Sequence, residues 1–145
     1  MESKIYEQIV KKKEFSQLSR KDVEIAFNHF EKRQVSSEEK IRLTRELLHK
    51  VFGVFSSEKL LNKKILDKKS VEEILKKHIS TKERFDFYPE LYNRILKDYK
   101  NKELSIIDLG AGINGLSYKF FSKGINYTGI ESVGQLVGLT NYFFS

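Results

Sequence analysis

Glycine divides this chain. Gly53 is the single glycine of residues 1–104, and the other seven of the eight fall in residues 105–145. Those seven punctuate a run that few folds accommodate. Leu104-Ser-Ile-Ile-Asp-Leu109 is a short, mostly apolar segment of the kind that forms a buried parallel strand. The turn Gly110-Ala-Gly112-Ile-Asn114-Gly115 follows it. Leu116–Lys123 then reads as a helix closed by Gly124, a residue suited to the left-handed position after a helix end. Asn126–Ile130 reads as a second strand closed by Glu131, and Val133–Phe144 begins a second helix. A strand–helix–strand–helix order of this kind opens a doubly wound, Rossmann-like α/β sheet.

The first part has a different texture. Apolar residues recur there at spacings of three and four, the signature of amphipathic helices. Ile5, Ile9 and Val10 mark a helix over about residues 3–14, with Lys11, Lys12 and Lys13 near its end. Ser19-x-x-Asp22 and Ser36-x-x-Glu39 read as helix starts ahead of Val23–Phe30 and Ile41–Phe55. A lysine-rich segment, 59–69, holds Lys63 and Lys64. Ser70-x-x-Glu73 and Ser80-x-x-Glu83 look like two further caps, and Pro89 divides the last helical stretch because proline fits only a first helical turn. The expected architecture is a basic α-helical N-terminal domain, residues 1–103, followed by the beginning of the α/β domain, residues 104–145.

Charge follows the same division. Residues 1–104 hold 25 Lys+Arg against 18 Asp+Glu, which accounts for the whole net charge of +7. Such an excess either attracts an anionic partner, nucleic acid foremost, or is a lysine-rich solvated surface. Hydrophobic residues at 39% and charged residues at 32% are a globular composition. With no cysteine, disulfides and thiolate metal sites are excluded. No apolar run approaches the length of a membrane span, so a cytoplasmic protein is expected.

The glycine turn carries the chemistry. A strand, Gly-x-Gly-x-x-Gly and a helix form a nucleotide-binding fingerprint in which the glycines let a cofactor approach the backbone. Glu131 lies at the end of the second strand, where a carboxylate accepts hydrogen bonds from both ribose hydroxyls. Dinucleotide enzymes place a pyrophosphate at the following helix N-terminus and usually carry an apolar residue two places before the first glycine. Here that residue is Asp108. A carboxylate beside a pyrophosphate is electrostatically costly; beside the amino group and sulfonium of S-adenosylmethionine it is favourable. Asp108-Leu-Gly-Ala-Gly therefore resembles motif I of the class I methyltransferases. A dinucleotide site is the competing reading.

Further residues narrow the resemblance. His78-Ile-Ser80-Thr81-Lys-Glu83-Arg84, followed by Tyr88, Leu91 and Tyr92, and then Asp108-Leu-Gly110-Ala-Gly112-Ile-Asn114-Gly115-Leu, is similar to the aminoglycoside-resistance 16S ribosomal RNA methyltransferases. Leu47-Leu48-His49-Lys50-Val51-Phe52-Gly53 resembles a segment of the same family, so the likeness covers nearly the whole chain. The resemblance implies methylation of guanine N7 in the decoding site of the 30S subunit and a helical N-terminal domain that docks there. It implies S-adenosylmethionine held by Arg84, Asp108, Gly110, Ala111, Gly112, Asn114 and Glu131, with Arg84 on the methionine carboxylate. A guanidinium is the natural fork for a carboxylate, although a surface ion pair with Glu83 or Asp86 is the plainer alternative. His78 either orients this helix or caps the preceding one. Lys11, Lys12, Lys13, Lys63 and Lys64 are the candidate RNA contacts. The chain departs from the family at Gly115, where proline is usual, and at Glu131, where aspartate is common.

Two strands are also fewer than a doubly wound methyltransferase sheet holds. The chain is expected to be a fragment of a longer enzyme, inactive by itself, with the target-base pocket beyond residue 145. The alternative is a complete protein that covers its strand edges with a partner chain or a second copy. A non-catalytic ribosome- or RNA-binding module with a vestigial cofactor loop is the second functional expectation.

Overall fold

A computed structural model describes residues 1–53, 65–67, 69–99, 103–121 and 124–145. The first helix, α1, spans Ser3–Val10 and stops short of the expected residue 14. Lys12 is extended, and a single 3-10 turn, Lys13–Phe15, follows. The break has a packing cause: it turns Phe15 and Leu18 inward, where both are buried. Arg45 closes the end of α1 by donating to the carbonyls of Gln8 and Ile9, two of the acceptors that a helix C-terminus leaves open.

Helices α2 (Arg20–Glu31) and α3 (Ser37–Leu48) start where the serine caps predict. Both caps are one-sided. Ser19 Oγ accepts from the Asp22 amide, and Ser36 Oγ accepts from the Glu39 amide. Neither acid returns the bond: Asp22 takes the Ser19 hydroxyl and Glu39 is drawn to Arg42. Helix α3 ends earlier than its apolar spacing suggests, passing into a π turn over His49–Gly53. Helix α4 (Val71–Lys77) has the full reciprocal box, with Ser70 N donating to Glu73 Oε2 and Glu73 N to Ser70 Oγ.

The expected cap at Ser80 is corrected. Helix α5 spans Ile79–Lys82, so Ser80 lies inside it, and His78 is the capping residue. The buried His78 ring accepts from the Ser80 amide through Nδ1 and pairs with Ser80 Oγ at 2.7 Å. Helix α6 (Tyr88–Ile95) carries Pro89 in its first turn, where its missing N–H costs nothing.

Strands β1 (Leu104–Leu109) and β2 (Ile125–Ile130) pair in parallel, with Ile106 opposite Tyr127 and Asp108 opposite Gly129. The connection is a 3-10 helix over Asn114–Phe120 rather than an α-helix over 116–123. Ser117 Oγ bonds the Asn114 carbonyl at 2.6 Å, three residues back, which suits the tighter winding. Helix α7 spans Gly134–Phe144. Residues of both sequence segments share one core, from Ile9 and Phe15 through Leu75 and Tyr88 to Leu116 and Leu139. A bridge between Leu18 and Val133 and a bond from Gly134 N to Gln17 O tie the N-terminal turn to the loop after β2. The helices cover one sheet face. The other exposes Ile107, Leu109 and Ile130, which are 66%, 75% and 52% accessible. Among the described residues no helix is long and apolar enough to cross a membrane.

Candidate cofactor site

The glycine turn leaves β1 at the carboxyl end of the sheet, where doubly wound folds bind ligands. Gly110 and Gly112 have φ of 68° and 54°, a left-handed conformation that L side chains rarely adopt. The amides of Gly110 and Ala111 both donate to the Ile130 carbonyl, at 2.8 and 3.0 Å, so the end of β2 folds the loop back. Ala111 is buried, while a Cβ built on Gly110 would meet nothing within 4 Å. The turn thus presents open backbone on one side and packs on the other.

Glu131 is brought to this loop, as its position after β2 requires. Its Oε2 accepts from Gly112 N and its Oε1 from Val133 N, both at 2.8 Å. The carboxylate therefore braces the loop, with one amide on each oxygen.

Asp108 sits half-buried at the end of β1, and one of its oxygens is heavily used. Oδ2 accepts from Asn114 Nδ2 and from the Tyr127 hydroxyl, each at 2.8 Å. The amide of Asn114 is oriented by Tyr88, whose hydroxyl donates to Asn114 Oδ1 at 3.0 Å. Tyr92 and Ser117 hydroxyls meet at 2.6 Å beside the same amide. Burial raises the phenol pKa of all three tyrosines, that of Tyr88 to about 12, so each stays a neutral donor. Tyr127 and Ser117 carry no motif signal. Tyr127 shares a face with Asp108 only because of the strand register, and Ser117 reaches Tyr92 only through helix packing.

Arg84 and Asp108 line one cleft of about 230 Å³, together with Tyr92, Asn114 and Tyr127. Arg84 is exposed and donates from Nε to the Ser80 carbonyl at 3.0 Å. Among the described residues it forms no ion pair with Glu83, Asp86 or Asp108. A second cleft, about 290 Å³, is lined by Ser80, Gly110, Gly112, Glu131, Ser132 and Val133. Each alone is below or near the low end of the roughly 300–1,000 Å³ usual for ligand pockets. The first presents Arg84 and Asp108, and the second the backbone of the turn together with Glu131.

A larger cleft, about 540 Å³, lies elsewhere, between the turn after α1 and α3, and holds Lys12, Arg42, Arg45 and Lys50. Much of its charge is consumed internally: Arg42 pairs with Glu39 and Glu46, and His49 lies 3.6 Å from Glu14. Lys11, Lys12 and Lys13 are exposed, whereas Lys63 and Lys64 fall outside the described residues. Neither a protein-family model nor a curated protein sequence matches this chain.

Proposed function

We propose that this chain carries the cofactor-binding part of an S-adenosylmethionine-dependent methyltransferase acting on 16S rRNA of the 30S subunit, at guanine N7 of the decoding site. The observation that carries the reading is the cleft in which Arg84 and Asp108 stand together without pairing with each other. A guanidinium and a carboxylate so placed match the carboxylate and ammonium of an α-amino acid, the end of S-adenosylmethionine that no dinucleotide has. The donor set fits. Arg84 would hold the methionine carboxylate, Asp108 the ammonium, and the open backbone at Gly110 and Gly112 would admit the nucleoside. When bound, the cofactor supplies an electrophilic methyl group, and the protein's task is to position it against the base. The exposed lysines at 11–13 would contact RNA phosphates, and a cytoplasmic location belongs to the same proposal.

A second reading, an RNA-binding module with a vestigial loop, draws on Glu131, whose two oxygens already serve Gly112 and Val133. Calorimetry separates the two. S-adenosylmethionine should bind and NAD should not. Asp108→Asn should weaken binding at least about tenfold, the size of one hydrogen bond between charged groups. A wild-type chain indifferent to S-adenosylmethionine would leave the module reading in possession.

A further inference from the structure

The two oxygens of Asp108 are used unequally. Oδ2 receives both the Asn114 amide and the Tyr127 hydroxyl, while among the described residues Oδ1 has no hydrogen-bond donor. A carboxylate pinned at one oxygen has its other oxygen held in a fixed direction. Resting on the methyltransferase reading above, we infer that Tyr127 is a positioning residue for the cofactor's amino-acid end: its hydroxyl fixes the Asp108 carboxylate so that Oδ1 is held ready for a ligand ammonium.

The backbone is arranged around this contact. Tyr127 stands opposite Ile106, and Gly129 stands opposite Asp108, so Tyr127 and Asp108 lie diagonally on the same sheet face. To span that diagonal the ring must lie along the sheet, and Gly115 leaves it room. A Cβ at Gly129 would make only ordinary contact with the ring, 3.4 Å from Cε1 and 3.5 Å from the hydroxyl. A Cβ at Gly115 would come within 3.3 Å of the same Cε1. Gly115 is the position at which the chain departs from the resembled family's proline, and here it flanks this tyrosine. Phe121 and Phe144 bracket the ring further, at centroid distances of 5.7 and 6.4 Å. The hydroxyl therefore has a definite position. Burial and the neighbouring carboxylate both raise its pKa, so it remains a donor at ordinary pH.

A ring placed merely to fill space would not distinguish ligands by their amino-acid end, and that difference is the test. Tyr127→Phe keeps the ring and its packing and removes only the donor. Affinities of wild type and variant are measured by calorimetry for S-adenosylmethionine and for 5′-methylthioadenosine, which lacks the amino-acid end. The expected result is a loss of roughly tenfold for S-adenosylmethionine, the size of one hydrogen bond to a charged group, with 5′-methylthioadenosine unchanged. In an Asp108→Asn background the same substitution should have little further effect, because it acts through that carboxylate. Equal losses for both ligands, or undiminished S-adenosylmethionine affinity in the Phe variant, would overturn the positioning role and leave the methyltransferase reading standing. Wild type that takes up neither ligand would overturn both.

Discussion

Tyr88 is fully buried at the meeting point of α6, Asn114 and Phe120, and this environment predicts a fold that weakens in alkali. Burial raises its pKa from 10.0 to about 12. The folded chain therefore keeps a proton that the unfolded chain releases near 10. Its contribution is complete below the unfolded value and is lost as pH climbs toward the folded one. Tyr92 and Tyr127 shift in the same direction for the same first cause. Thermal midpoints should thus fall as pH rises above about 10. Tyr88→Phe should cost about 1 kcal/mol at neutral pH, for the missing bond to Asn114, and flatten the alkaline decline. A Phe variant with an alkaline decline as steep as wild type would assign the effect to other groups.

At the scale of elements, the packing of α7 against the 3-10 connection is set by a single missing methyl. A Cβ at Gly115 would stand 2.5 Å from Thr140 Cγ2. Gly115→Ala should therefore destabilise by about 1–3 kcal/mol, as small-to-large changes in packed sites do. Thr140→Ser deletes the opposing methyl, so the double variant should recover much of that stability in a denaturant titration. Simple additivity of the two changes would show that the clash is relieved in some other way. The helix starts make a related point. Serine caps at Ser19, Ser36 and Ser70 all accept an amide, but only at Ser70 does the acid return the bond. At Ser36 the acid is within reach of Arg42, and the stronger charge-assisted partner takes it.

For the molecule as a whole, the basic excess and the glycine turn belong to one packed body. Gln135 of α7 donates to the Lys13 carbonyl at 3.1 Å, and the Lys119 ammonium pairs with Glu72. The Lys11–Lys13 segment is thus braced directly against α7. Replacing the three lysines by alanine should weaken binding to 30S subunits and make its salt dependence shallower, by about 0.7–0.9 in log–log slope for each phosphate that is no longer neutralised. An unchanged slope would mean that these lysines only keep the protein soluble.

The elements with local causes were legible in the chain itself. Strand β1, the glycine turn, β2, α7 and the starts of α2, α3 and α4 follow from glycine placement, apolar period and capping serines, which act over a few residues. The same is true of Asp108 and of Glu131's place beside the loop. What depends on residues distant in sequence was not legible. Helix α1 ends at Val10 because Phe15 and Leu18 turn into a core that a local pattern does not describe. His78, already offered by the sequence as an orienting or capping residue, caps α5 in place of Ser80 across two residues, and only the burial of its ring came from the packing. Tyr127 reaches Asp108 only through the register of two strands and the space left by Gly115. Local sequence determined which groups the glycine turn would offer. Tertiary packing decided which of their hydrogen bonds are already taken, because donors and acceptors find partners across space rather than along the chain.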